Sequence, residues 1–193
     1  MTATLNNITA VLKGGGVCVL PTETVYGIAC RADHPKAIDR IYAIKGRGFD
    51  KPLAVCVRDI EAAKKLAEFD DMALKLAKEF WPGPLTLVLP VKNKTLDKRC
   101  YQGGTIALRC PDIEWREHFK QPLALTSANK SGEPAATTAE TGLEVDAVLN
   151  TGPSREKIPS TILAVKDGKV TCLREGALKA DALAAYTIEW PND

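Results

Sequence analysis

The chain has 193 residues, of which 45% are hydrophobic and 26% are charged, a composition typical of an ordinary globular protein. Its 26 basic and 24 acidic residues give a net charge of +2, so bulk charge does not indicate a nucleic-acid partner and any basic site must be local. The composition has no excess of proline, glycine or charge that would predict disorder. We expect one domain over residues 1–193.

Two further properties concern the compartment of the protein. The six cysteines are scattered, form no C-x-x-C pair and lie mostly in apolar runs, which predicts buried thiols in a reducing compartment. The chain shows no targeting segment and no apolar run of membrane-spanning length. We therefore expect a cytoplasmic protein without membrane contact.

Short apolar runs alternate with segments of helical periodicity along the chain, which predicts an α/β fold. We expect a twisted, mostly parallel mixed sheet with flanking helices and a concave basic cleft. The predicted elements are, in chain order, a helix over 5–13, a strand over 17–20, a helix from about 35 to 45, a strand over 53–57, helices over 60–69 and 72–80, strands over 85–89 and 105–109, a short helix near 115, strands over 123–127, 160–165 and 169–174, and a helix over 178–186.

Local signals mark several boundaries of these elements. Asp33 is expected to cap the second helix and Gly46 to end it. Asp167 and Gly168 between two β-like runs predict a hairpin turn. The segment 150–160, "NTGPSREKIPS", is polar, rich in turn formers and long for a compact domain, so we expect a mobile loop there.

Several kinds of site are disfavoured by what the sequence lacks. It has only two histidines, His34 and His118, and no close group of His, Cys and Asp, which disfavours a protein metal cage or a histidine-based triad. It contains no P-loop motif, and the run Gly14 to Gly16 precedes a strand instead of opening a helix. A bound nucleotide would have to be held in another way.

Polar side chains stand where predicted strands meet loops. Ligands of open α/β sheets bind beside strand ends, so these segments are expected to converge on one cleft. Its cations would be Lys45, Arg47, Lys51, Arg109 and Arg174, and its neutral hydrogen-bonding groups Thr24, Ser127, Asn129 and Ser160. Arginine and lysine together suit an anionic ligand with more than one charged group.

Each of these features also has an ordinary structural interpretation. A short cluster such as Lys45, Arg47 and Lys51 is more often a solvated turn. A strand-end arginine is more often a surface charge, and "TSAN" is compatible with a simple turn and helix cap. Only the combination of segments favours a site.

That combination closely resembles the YrdC/Sua5 family of threonylcarbamoyl-AMP synthases. Seven segments match in order between about residues 8 and 176: "PTETVYGI", "KGRGFDKPL", "WPGPLTLVL", "IALRCP", "TSANKSG", "STIL" and "REG". The length is similar to that of the short form, which lacks the additional C-terminal domain of the Sua5 type. Each segment alone is a weak signal, whereas seven in order are a strong one.

The resemblance implies an enzyme, a nucleotidyltransferase that makes threonylcarbamoyl-AMP and pyrophosphate from L-threonine, bicarbonate or CO2, and ATP. Mg2+ would accompany ATP, held through phosphates and water rather than by a protein cage. The product would serve N6-threonylcarbamoyladenosine formation at position 37 of tRNA, with the transfer made by downstream threonylcarbamoyl transferase proteins. Whether this chain itself contacts tRNA stays open.

The resemblance also implies roles for individual residues. Lys45 and Arg47 match the family's K-x-R signature and would be catalytic, as ligands of the ATP phosphates. The residues that match positions near ATP are Arg47, Lys51, Thr105, Asn129, Thr137 and Arg174. Those that match positions near threonine are Thr24, Arg109, Ser127 and Ser160, of which Arg109 suits the carboxylate. Glu23 would touch metal-bound water or have a structural role.

Two positions depart from the family pattern. Cys56 stands where the Sua5 form often has a histidine that contacts threonine, and Gly48 stands where proline is frequent. Cys56 keeps open a related enzyme that adenylates another carbamoyl or acyl acceptor. A third alternative is an RNA-binding module with a basic cleft, although the sequence has no basic stretch interleaved with aromatic residues.

Overall fold

The first two helices begin at polar capping residues. The computed structural model describes residues 3–190. In the helix α1 (Leu5–Lys13), the Thr4 hydroxyl accepts from the Asn7 amide while the Asn7 side chain accepts from the Thr4 amide. In α2 (Pro35–Lys45), His34 rather than the expected Asp33 is the cap, since its Nδ1 accepts from the Ala37 amide at 3.3 Å.

Asp33 is unable to cap α2 because its carboxylate is engaged elsewhere. Both of its oxygens accept from Arg31, at 2.9 and 2.6 Å. At the other end of the helix, Gly46 has φ 59° and ψ 39°, the left-handed conformation that the sequence predicts for it. The "KGRGFDKPL" loop therefore leaves α2 in a defined direction.

The strands form one mixed sheet. They are β1 (Cys18–Leu20), β2 (Gly27–Arg31), β3 (Ala54–Cys56), β4 (Leu85–Pro90), β5 (Tyr101–Gln102), β6 (Thr105–Arg109), β7 (Leu123–Ser127), β8 (Ala147–Val148), β9 (Thr161–Lys166), β10 (Lys169–Arg174) and β11 (Ile188–Glu189). Their order is β11-β10-β9-β4-β6-β3-β7-β2-β1-β8, with β5 beside β6.

The expectation of a mostly parallel sheet is wrong, although the mixed sheet is confirmed. In residues 3–190, six strand pairs are antiparallel and four are parallel. Short connections cause part of this difference, because a chain that reverses within a few residues pairs with itself antiparallel. The β9–β10 turn is an example, with Asp167 and Gly168 at φ 52° and 76°.

Three other predictions differ from the structure. The helix expected over 60–69 is only α3 (Ile60–Ala63), after which Ala67 bridges to Val91 beside the end of β4. The helix expected over 178–186 is a single 3-10 turn, Ala180–Leu183. Strand β2 was not predicted, because it is buried on both faces and its sequence does not alternate. The last long helix, α4 (Asp71–Phe80), is confirmed.

The core has two layers, because hydrophobic clusters lie on both faces of the sheet. Alternate residues of one strand show this, since Val19 lies in the larger hydrophobic cluster and Cys18 and Leu20 lie in the smaller one. The six cysteines are buried and unpaired, as the sequence predicts. No helix within residues 3–190 has the length and apolar character to cross a membrane.

Two helix-ending glycines give a matched test of backbone strain. Gly46 is left-handed and a Cβ there would meet nothing within 4 Å, so replacement by alanine should cost only the strain of positive φ. We expect Gly46→Ala to lower the free energy of unfolding by about 1 kcal/mol. Gly14 ends α1 at φ −75°, so Gly14→Ala should be nearly neutral in the same urea titration. Equal losses in both variants would contradict this explanation.

Candidate active site

A cleft of about 440 Å3 lies over one face of the central strands, since the alternate residues Thr105, Ala107 and Arg109 of β6 all line it. Strands β3, β4, β6, β7, β9 and β10 all contribute side chains to its wall, because their order in the sheet places them side by side. Of the eleven residues that the sequence predicts for the site, six line this cleft: Arg47, Thr105, Arg109, Ser127, Ser160 and Arg174. The structure therefore brings these six residues together, but across a face of the sheet and not at one set of strand ends, because Thr105 begins β6 and Arg109 ends it.

Arg109 lies at the centre of the cleft wall. It ends β6, and the strand register places it opposite Cys56 of β3 on one side and Thr86 of β4 on the other. Its side chain is only 7% exposed, and NH2 donates to Glu23 Oε1 at 2.8 Å and to Thr24 Oγ1 at 2.7 Å. Thr24 is fully buried and does not line the cleft. Its hydroxyl therefore holds the guanidinium group from the protein interior.

A second group of polar contacts lies beside Arg109. Arg174 donates to the main-chain oxygen of Ser160 from Nε and NH2, at 3.1 and 2.7 Å. The Ser160 hydroxyl lies 2.8 Å from the hydroxyl of Thr86. Partial burial, and then the positive charge of Arg109, lower the pKa of Arg174. The two guanidinium groups are thus close enough to repel one another.

Lys45 lies behind the cleft wall rather than in it. Its side chain is buried, and Nζ donates to the main-chain oxygens of Ser127 and Asn129 at 2.6 and 2.5 Å. Burial, and then the charge of Arg47, lower the pKa of Lys45 to about 8. Lys45 therefore ties the beginning of the "KGRGFDKPL" loop to the end of β7, and its contact with a phosphate stays a prediction.

The other cations of the loop differ in position. Arg47 lines the cleft, and it donates to the main-chain oxygens of Lys51 and Pro52 at 3.2 and 3.1 Å. These bonds to neutral carbonyls leave its charge uncompensated. The Lys51 side chain is exposed and outside the wall.

Thr105 lines the cleft at the start of β6, where its hydroxyl donates to the Gln102 oxygen.

Asn129 and Thr137 lie beyond the end of β7. The Asn129 amide donates to the oxygens of Lys130 and Glu133, both at 2.8 Å, and its Oδ1 is buried without a partner among residues 3–190. The Thr137 oxygen accepts from the Ser154 amide at 2.8 Å. Neither side chain lines the cleft as it stands, so their roles at a nucleotide remain predictions.

The segment 150–160 has no helix or strand and crosses behind the "PTETVYG" loop. The Tyr26 hydroxyl donates to the Gly152 oxygen at 2.7 Å, and the Glu156 amide donates to the Glu23 oxygen at 2.8 Å. These contacts fix the path by which the chain reaches Ser160. The expected mobility of the segment stays a prediction.

Sequence reasoning missed some of the residues that form the site. Thr86 was taken as part of a strand, although a hydroxyl in the apolar run "LTLVL" was a signal of polar surroundings. Glu23 was noted without its partner, because nothing in the sequence connects it to Arg109, 86 positions away. No group of three His, Cys, Asp or Glu side chains within residues 3–190 is arranged to hold a metal ion.

Comparison with known proteins agrees with this geometry. The family model Sua5/YciO/YrdC, described as "Telomere recombination", matches residues 10–176. A protein of Methanocaldococcus jannaschii is 38% identical over 179 residues, which are 90% of this chain and 86% of that protein. The threonylcarbamoyl-AMP synthase of Bacillus subtilis is 36% identical over 187 residues, 91% of this chain.

Solved structures show the same fold. The structure of Pyrococcus abyssi Sua5 complexed with L-threonine superposes with a TM-score of 0.88 and 33% identity over 94% of this chain. The chain spans 56% of the length of that protein and 54% of the Bacillus subtilis protein, about half of each.

The low pKa of Lys45 generates a prediction about stability. Between pH 8 and its ordinary value of 10.5, the unfolded chain keeps the Lys45 proton that the folded chain has lost. The free energy of unfolding should therefore contain a contribution that rises with pH across this window. Lys45→Met should remove that contribution, whereas Lys94→Met, at an exposed position, should keep it.

Urea titrations at several pH values between about 7.5 and 10 would measure this difference, because the slope of stability against pH counts bound protons. If wild type and Lys45→Met kept parallel stability curves over this range, the proposed burial of the ammonium group would be wrong.

Proposed function

Since the chain belongs to the Sua5/YciO/YrdC family, we propose that it makes threonylcarbamoyl-AMP and pyrophosphate from L-threonine, bicarbonate or CO2, and ATP, as a nucleotidyltransferase acting in tRNA modification. The observation that carries the proposal is the cleft wall, which combines a buried arginine suited to a carboxylate with two further arginines suited to phosphate. The names of the relatives support the same reaction. Downstream transferase proteins would consume the product.

The proposed reaction needs alignment more than a side-chain nucleophile. The free amine of threonine adds to CO2 with loss of a proton, or reacts with bicarbonate with loss of water, to give a carbamate. A carbamate oxygen then attacks the α-phosphorus of ATP, and the bond to pyrophosphate breaks. Negative charge grows on phosphate oxygens during this step, and Arg47 and Arg174 are the wall cations placed to stabilise it. Arg109, which is separated from Arg174 by Ser160, would hold the threonine carboxylate.

The donor set is compatible with Mg2+ that is bound mainly by substrate. Among the described residues, no group of three His, Cys, Asp or Glu side chains is arranged to hold a metal ion. The carboxylate in the buried group around Arg109 is that of Glu23, whose Oε1 already accepts a hydrogen bond from Arg109. When bound with ATP, Mg2+ would supply countercharge to the phosphates and keep water in its coordination shell. The chain's own contribution is the set of arginine and hydroxyl groups.

The family comparisons favour the synthase over an RNA-binding module. Cys56 leaves the acceptor to be tested, since it lines the cleft and is only 4% exposed. A pyrophosphate-release assay with Mg2+, ATP, bicarbonate and each amino acid in turn answers this question. We expect release that depends on L-threonine. Release that is indifferent to threonine but responds to another acceptor would overturn the substrate assignment.

The charge of Arg47 should matter far more to turnover than to folding. We expect Arg47→Gln to lower kcat/KM for ATP by about 100-fold or more, because an arginine donor aimed at growing phosphate charge is lost. The unfolding free energy should change by only about 1 kcal/mol, the scale of its hydrogen bonds to carbonyls. Arg58→Gln, at an arginine that pairs with Asp59 outside the cleft, is the matched control and should keep wild-type kinetics.

Steady-state pyrophosphate release and thermal unfolding of both variants measure the two effects. If Arg47→Gln kept wild-type turnover, the proposed role of Arg47 would be wrong, and the "KGRGFDKPL" loop would have to be interpreted as a solvated turn.

A further inference from the structure

Glu23 forms a buried ion pair with the central arginine of the cleft. Its side chain is 1% exposed, that of Arg109 is 7% exposed, and Oε1 accepts from NH2 at 2.8 Å. The main-chain oxygen of the same residue accepts from the Glu156 amide, so the backbone of Glu23 is also held in place. Glu23 therefore has little freedom to leave Arg109.

Arg109 uses only two of its five side-chain N–H donors within residues 3–190. NH2 donates to Glu23 and to the Thr24 hydroxyl, which accounts for both of its protons. Nε is buried and unpaired, and NH1 has no hydrogen bond to any of residues 3–190. Because Arg109 lines the cleft, NH1 is the part of the guanidinium that is left for a ligand.

The three arginines of the wall differ in their countercharge. Arg47 and Arg174 donate to neutral main-chain oxygens and, for Arg174, to the Ser160 hydroxyl, so each keeps a net positive charge. Arg109 alone among them has a carboxylate partner. Arg109 and Glu23 thus form a neutral and strongly dipolar pair, whereas Arg47 and Arg174 each add a positive charge to the wall, Arg174 close to Arg109.

This asymmetry would sort ligands by charge. A polyanion such as a triphosphate gains most beside Arg47 and Arg174. A ligand of zero net charge with separated charges, such as an α-amino acid zwitterion, gains most beside an ion pair, where its carboxylate meets a cation and its ammonium group meets the field of a carboxylate. Glu23 Oε2 is buried and accepts no hydrogen bond from residues 3–190. No neighbouring donor therefore weakens the field of this carboxylate.

We propose that Glu23 is a positioning and specificity residue: by its ion pair it orients Arg109 with NH1 left for a carboxylate, and it makes the part of the cleft at Arg109 prefer a zwitterionic amino acid to a simple anion. The inference rests on the proposed function for the identity of the amino acid. It concerns recognition, and Glu23 acts on the ligand through Arg109 and through its charge.

A test on the wild-type protein needs no variant. (R)-3-Hydroxybutanoate keeps the carboxylate and hydroxyl groups of L-threonine and lacks the ammonium group. Calorimetry should show L-threonine binding at least about tenfold more tightly than this anion, because the anion has no ammonium group to be attracted by the negative charge of Glu23. Equal or tighter binding of the anion would overturn the inference.

Two variants separate charge from shape. Glu23→Gln keeps the length of the side chain and an oxygen for Arg109 NH2 but removes the negative charge. It should weaken L-threonine binding at least about tenfold and abolish the preference over (R)-3-hydroxybutanoate. Glu23→Asp keeps the charge with a shorter reach, and should keep the preference even where affinity falls.

Steady-state kinetics distinguish this role from a merely structural one, because a structural role would not change KM for L-threonine alone. In Glu23→Gln, KM for L-threonine should rise while KM for ATP stays within about threefold of wild type, because Arg47 and Arg174 are unchanged. Parallel increases in both KM values, or a retained ligand preference in Glu23→Gln, would leave Glu23 a structural residue and sink the inference. Should Glu23→Gln fail to fold, loss of the preference in Glu23→Asp would do the same.

The two proposals fail in distinguishable ways. Wild-type protein that binds L-threonine with the expected preference but releases no pyrophosphate contradicts the synthase and leaves the role of Glu23 standing. Threonine-dependent release without the ligand preference contradicts only the role of Glu23.

Discussion

The cleft depends on placing the charge of Arg109 inside the sheet. Arg109 ends the central strand β6 and lies between β3 and β4, where the low dielectric makes an isolated charge very costly. Glu23 and Thr24 compensate that cost from a loop between β1 and β2. Removing one partner of such a buried pair typically costs about 3–5 kcal/mol. An exposed pair such as Arg155 and Asp112 contributes about 0–1 kcal/mol, so the Arg109 pair dominates the electrostatics of this region.

A second buried cation links two segments beside the cleft. The ammonium group of Lys45 bridges the oxygens of Ser127 and Asn129, and thereby joins the end of α2 to the end of β7. Burial, and then the charge of Arg47, lower the pKa of Lys45. Through its two hydrogen bonds Lys45 also determines where its neighbouring segments lie. Arg47, two residues further along the chain, is the cation that this arrangement presents to the cleft.

Much of this arrangement could be predicted from local sequence signals. The helix α1, the end of α2 at Gly46 and the β9–β10 turn each follow from a cap or turn residue. Six of the predicted site residues meet in one wall, and they could be found because polar side chains beside apolar runs were taken as candidates. The parallel or antiparallel sense of the sheet and the contact of Glu23 with Arg109 could not be predicted, since both depend on how distant segments meet. Cap choice failed at Asp33 because Arg31 competes for its carboxylate.

In the proposed function, this cleft joins an amino acid, a one-carbon unit and a nucleotide in one product. This can be measured by incubating the protein with 13C-labelled bicarbonate, L-threonine, ATP and Mg2+, and analysing the nucleotide product by mass spectrometry. We expect an adenylate that carries both threonine and the labelled carbon, formed together with pyrophosphate. An adenylate that contains threonine without the labelled carbon, or pyrophosphate formed without any threonine-containing adenylate, would contradict the proposed function.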